Sequence, residues 1–261
     1  DYTLVAHLLH DLVKKLPEGA EISLEANTDK GGVKMVSGRS RFALQSLPSS
    51  DFPALTEGSY SHTFDMPGEA LARILSRCSF AISNEETRYY LNGIYLHAIE
   101  NAGTLVLRAV ATDGHRLSRC ETDAPIGCEG MPGIIVPRKT VAEIIKMASA
   151  ADVVSVSLSD SKIRIAAGGA TLISKLIDGT FPDYKRVIPT RNDLLFTIDS
   201  QGLASAADRV ATVSSERGRA VKLSFDAGTL TLAVHNPDAG DASEDAVVDG
   251  EATTETGFNA K

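Results

Sequence analysis

Several things are missing from this sequence, and each absence narrows what it can be. No apolar run approaches the ~18–20 residues that a helical membrane span needs, and no signal-peptide pattern opens the chain. The three cysteines, Cys78, Cys120 and Cys128, show no CxxC spacing. That argues against a zinc site and a disulfide framework, and makes a reducing cytoplasm the expected location. There is no HxE, CxxC, GxSxG or phosphate-cradling glycine loop, so the common signatures of hydrolases and nucleotide-binding enzymes are absent. His7 and His10 share a helix face without a carboxylate cluster beside them, so neither a metal nor a cofactor is expected. Basic residues are also missing from one region. Between Lys222 and Lys261 there is no Lys or Arg, while Asp238, Asp241, Glu244, Asp245, Asp249, Glu251 and Glu255 accumulate. That stretch reads as solvated acidic loop and strand. It accounts for much of the net charge of −8, and the remainder of the chain is nearly balanced. A start at Asp1 and an end in the strand-like "TGFNAK" suggest a chain cut at both ends.

What the sequence does contain is a repeat. "VAHLLHDLVKKL" (residues 5–16) and "PRKTVAEIIKMA" (137–148) align at a spacing of 132, pairing Leu9 with Val141, Leu12 with Ile144 and Lys14 with Lys146. Both carry apolar residues at i, i+3/i+4 and i+7, the mark of an amphipathic helix. Each is followed by an alternating strand pair and then by a third strand running into Phe-Pro, "LPSSDFP" in one copy and "LIDGTFP" in the other. A second unit recurs in the same way. "LARILSRCSFAISNEETR" (71–88) matches "LASAADRVATVSSERGR" (203–219), and each precedes strands that turn at Gly-Thr-Leu, at Gly103 and at Gly228. Internal repeats of this kind predict a repeated architecture. Locally paired strands predict antiparallel sheets with helices packed on one face, an α+β fold. The expected division is residues 1–60 as half a domain, 61–190 as a whole one and 191–261 as another half.

The motifs "TRYYLNGIYLH", "ATDGHRLS", "IVPRKTV" and "SKLIDGTFPDYKRVIP" resemble the bacterial DNA polymerase III β subunits, the β sliding clamps; "KLPEGAEISL" and "SGRSRFALQSLPSSDFP" resemble the second half of that family's first domain. The resemblance implies a DNA clamp fold, with pseudo-symmetric repeats, helices inside and sheets outside. It implies a homodimeric ring that encircles duplex DNA without reading sequence. It also implies a non-catalytic processivity factor that tethers polymerase III, the clamp loader, other polymerases and repair proteins through a short peptide motif. Two alternatives stay open: a clamp paralogue that binds an inhibitor as a decoy, and a hydrolase or nuclease using His115 and Asp113.

By the same resemblance, Lys14, Arg73, Arg77, Tyr89, Tyr90, Arg138, Lys139, Lys146 and Arg209 face DNA, where cations meet backbone phosphates and a tyrosine can stack on a base. On residues alone these are also ordinary solvated helix faces, and at least one of the tyrosines reads as core. The implied peptide pocket comprises Leu91, Thr112, Gly114, His115, Arg116, Leu117, Pro182, Arg186 and Val187. "TDGHRL" alone reads equally well as a turn. Phe42, Leu44, Thr212 and Val213 fall at the implied subunit interface, and intrachain core is the competing reading for Phe42 and Leu44.

Overall fold

The computed structural model describes residues 3–27, 31–52, 58–214 and 220–259. Pro53 of the first Phe-Pro turn and the Ser-Glu-Arg close of the second repeat, at 215–219, lie outside them. Two compact units are present, Asp1–Phe181 and Pro182–Lys261.

In the first unit, helix α1 (Ala6–Lys14) precedes a three-stranded sheet of β1 (Ser23–Asn27), β2 (Gly32–Ser37) and β3 (Ser40–Gln45). Gly38, with φ 56°, sits first in the two-residue turn that closes β2 on β3, a position that favours glycine. Alternation along β2 buries Val33 and Met35 on one face. Leu44, their neighbour on β3, is only 8% exposed. It is buried within its own sheet, and Phe42 is partly exposed.

The rest of this unit is built from two interleaved halves. Strand β4 (His62–Pro67) leads into α2 (Gly68–Ser79) and then into β5 (Gly93–Asn101), β6 (Thr104–Thr112) and β7 (Leu117–Asp123). Strand β8 (Ile134–Pro137) leads into α3 (Arg138–Ser149) and then into β9 (Val153–Leu158), β10 (Lys162–Ala167) and β11 (Ala170–Lys175). Each leading strand joins the sheet of the other half, giving β11-β10-β9-β4 and β7-β6-β5-β8, with every pairing antiparallel.

Both helices start directly behind a proline, Pro67 and Pro137. Proline's preset φ suits helix entry, and its missing N–H removes no helical bond. In α2, Leu71, Ile74, Leu75 and Cys78 form the buried stripe; in α3, Val141, Ile144 and Ala148 do. These stripes close one core with residues of both sheets, including Ile94, Leu96, Leu107, Val154, Val156, Ile163 and Ile165. Fully burying such a side chain contributes about 1.5–3 kcal/mol each. The helices meet where Gly68 donates its N–H to Asp152 O at 2.9 Å. A Cβ there would lie 2.1 Å from Ala151 O, so only glycine fits.

In the second unit, α4 (Ser200–Ala211) is capped by Asp199, whose carboxylate accepts from Gly202 N. It packs through Ala206 and Val210 on Val221, Leu230, Leu232 and Val234. The sheet is β14-β13-β12-β15, made from β12 (Ala220–Asp226), β13 (Thr229–Asn236), β14 (Gly240–Val247) and β15 (Thr254–Asn259). The repeat is visible in its turns. Ala102-Gly103 joins β5 to β6 and Ala227-Gly228 joins β12 to β13, with φ of 51° and 82° against 33° and 88°. Two successive positive φ values define the hairpin turn that matches strand twist.

Candidate DNA-facing helices and partner-binding turn

The segment after β6 carries the densest polar order in the first unit. Asp113 Oδ1 accepts from the amides of both His115 and Arg116 at 3.0 Å, and Oδ2 accepts from Arg116 Nε at 3.0 Å. Thr112 Oγ1 accepts from Gly114 N at 3.1 Å and donates to Arg116 O at 2.8 Å. The result is a self-bonded turn between β6 and β7 that presents His115 and Arg116 to solvent. Burial pushes the Asp113 carboxyl up, but the two amides and the Arg116 guanidinium outweigh it and hold the group below the usual carboxylate range.

A second tie comes from outside the turn. Arg88 donates two 2.7 Å bonds to Glu85 and a third, at 3.1 Å, from Nη2 to Asp113 O. The Arg88 bond, followed by charge, lowers the Glu85 pKa. Gly114 has φ +92°, a conformation that favours glycine, and a Cβ there would push on the tip of the Arg88 side chain, 2.6 Å from Nη1. The Arg116 guanidinium sits 5.5 Å from the centroid of Phe80, a ring that is itself 58% exposed.

The cationic side chains on the helices differ in how far they are engaged. Lys14, Arg77 and Lys139 are exposed, with no side-chain bond among the described residues. Arg73 folds onto β7, donating to Glu121 O at 3.1 Å and to Cys120 Sγ at 3.5 Å. Arg138 donates to Ile82 O at 2.7 Å and to Ser83 O at 3.0 Å. Lys146 pairs with Glu143 at 2.8 Å, and Arg209 is bound through two nitrogens to Glu244. The two ion pairs moderate the positive field of α3 and α4.

The chain matches the N-terminal, central and C-terminal domains of the DNA polymerase III beta subunit at residues 1–56, 65–183 and 185–261. It is 48% identical to the beta sliding clamp of Caulobacter vibrioides over 261 residues, covering 99% of this chain and 70% of that protein. The chain belongs to the β sliding clamp family. The beta sliding clamp of Escherichia coli K12 is 37% identical, with 98% and 69% covered. Among solved structures, a C. crescentus beta sliding clamp superposes with a TM-score of 0.91 at 47% identity, covering 99% of this chain and 69% of that one. A Bartonella birtlesii sliding clamp bound to griselimycin gives 0.89 at 46% identity, covering 99% and 70%.

As a clamp, the chain functions as a DNA sliding clamp and a non-catalytic accessory subunit of DNA polymerase III, with DNA and clamp-binding proteins as its partners. The hydrolase alternative also loses its geometric basis. Asp113 bonds backbone and Arg116 rather than the His115 ring, so no acid–base dyad forms. No helix among the described residues is long and apolar enough to cross a membrane.

The structure brings Thr112, Gly114, His115, Arg116 and Leu117 together in one turn. Leu91 is only 4% exposed. Pro182, Arg186 and Val187 are exposed in the second unit, where Arg186 Nε pairs with Asp183 at 2.9 Å. Tyr89 and Tyr90 lie in a 3₁₀ turn, Tyr89–Leu91, rather than on a strand. Their rings meet edge to face with centroids 5.8 Å apart; Tyr89 is 54% exposed and Tyr90 partly so, so neither is the core residue expected. Thr212 is exposed, its hydroxyl donating to Asp208 O, and Val213 is half-buried. Sequence reading missed Phe80, Glu85 and Arg88. The spacing of Glu85 and Arg88 at i, i+3 was the available signal, whereas nothing local linked Phe80 to Arg116.

Proposed function

We propose that this chain contributes to a homodimeric ring that encloses duplex DNA and recruits polymerase III, the clamp loader and repair proteins through a short apolar peptide. The reading divides it into residues 1–60, 61–190 and 191–261 as parts of three clamp domains. The observation that carries the recruitment reading is the pre-ordered turn at 112–117. Its bonds fix Arg116 beside the exposed Phe80 ring, so a peptide meets an orienting cation and an apolar surface with little ordering cost. Leu117 supplies further apolar surface in this reading, and His115 a polar rim. Lys14, Arg77, Lys139 and the tyrosine pair Tyr89 and Tyr90 form the first DNA contacts, with Arg73, Arg138, Lys146 and Arg209 in supporting positions. Phe42, Thr212 and Val213 lie at the subunit contact.

The test is a titration of a fluorescent peptide carrying Gln, Leu and Phe anchors against the wild type and Arg116→Ala. The variant should bind about tenfold more weakly, the loss expected for ~1.4 kcal/mol at a contact hot spot. An unchanged titration, with unchanged circular dichroism, removes the turn from the pocket.

A further inference from the structure

Two of the three thiols sit on α2 and β7, elements packed against each other. Cys78 on α2 is fully buried, and its Sγ donates to Ala109 O at 3.3 Å. Ala109 is the cross-strand partner of Cys120 on β7. Cys120 itself is partly exposed, and the Arg73 guanidinium lies 3.5 Å from its Sγ. Of the two sulfurs, Cys120 is the one that solvent reaches and that an N–H donor contacts. Cys128 is buried away from this contact, in the loop before β8.

We propose that Cys120 and Cys78 form a peroxide-sensitive dithiol, in which Cys120 is oxidised first and Cys78 resolves it. In the first step the Cys120 thiolate attacks a hydroperoxide. An S–O bond forms, the O–O bond breaks, and the peroxide is reduced to hydroxide or alkoxide as the sulfur becomes a sulfenic acid. In the second step the Cys78 sulfur attacks Cys120 Sγ. The S–S bond forms, the S–O bond breaks, and hydroxide leaves with the Cys78 proton as water. The order follows from access and charge. Cys120 has the exposure and the guanidinium, while burial pushes the Cys78 thiol up to about 11. The resolving step therefore speeds up as pH rises toward that value. The bond joins α2 to β7 and removes the thiol from one of the two contacts that Arg73 makes with the strand.

The experiment treats the whole chain with hydrogen peroxide, titrates free thiols and maps peptides by mass spectrometry without reductant. The expected result is a fall from three free thiols to one, with a dithiothreitol-reversible Cys78–Cys120 linkage. Cys78→Ala should instead accumulate a dimedone-trapped Cys120 sulfenic acid, and Arg73→Gln should slow thiol loss. Because the wild type itself is read, a poorly folding variant leaves the test intact. A Cys120–Cys120 link between chains, or a Cys120 sulfinic acid with Cys78 still free, overturns the proposal.

Discussion

Both carboxylate oxygens of Asp113 are occupied by groups of its own turn, and this makes the turn sensitive to acid. The folded-state pKa lies below the ordinary value, so the unfolded chain binds the proton more readily. The stabilisation is therefore complete above the ordinary carboxylate value and is lost as pH falls through the folded pKa. Carboxyl chemical shifts followed by NMR should place Asp113 below an ordinary aspartate. The His115 and Arg116 amides should lose exchange protection over the same acid range. A midpoint at or above the ordinary value contradicts the geometry. The turn itself was readable from Asp-Gly between two strands. The burial of Leu91 was not, because whether an apolar side chain forms surface or core depends on neighbours distant in sequence.

At the scale of elements, each helix was legible to within a few residues. An apolar stripe at helical spacing has only one economical fold, with that stripe turned inward. What the stripe does not report is which sheet will receive it. The crossover of β4 onto β9 and of β8 onto β5 is a pairing decision between segments tens of residues apart. The close approach of α2 and α3 depends on the same crossover and leaves no room at Gly68. Gly68→Ala should cost about 1–3 kcal/mol, the usual range for overpacking, and lower the first unit's melting temperature by roughly 2–4 °C per kcal/mol. Calorimetry checks this, and a melting temperature equal to wild type's would mean that the helices separate freely at this point. Gly103, with open space around it, is the control: its alanine variant strains only φ.

For the whole molecule, charge is divided between elements. Acidic residues exceed basic ones, 34 to 26, and β14 with its neighbours carries many of the acids. Each cation that meets a phosphate releases counterions and steepens the salt dependence of DNA binding. Lys139 is unengaged, while Lys146 shares its charge with Glu143. Lys139→Ala should therefore lower the log–log salt slope by about one unit, and Lys146→Ala by less. Fluorescence anisotropy over a salt series distinguishes the two, and equal effects would contradict the pairing. The sequence by itself determined the repeat, the antiparallel α+β class, the helices and the family, because periodicity, turn chemistry and long ungapped motifs are written in neighbouring residues. The folded structure was needed to learn which cations are already engaged, that Leu44 and Leu91 are buried, that Phe80 sits beside Arg116, and that Cys78 and Cys120 fall on packed elements. Most of these depend on contacts that sequence does not spell out, as Phe80 and Arg116 show: their geometry exists only once segments far apart in the chain have packed together.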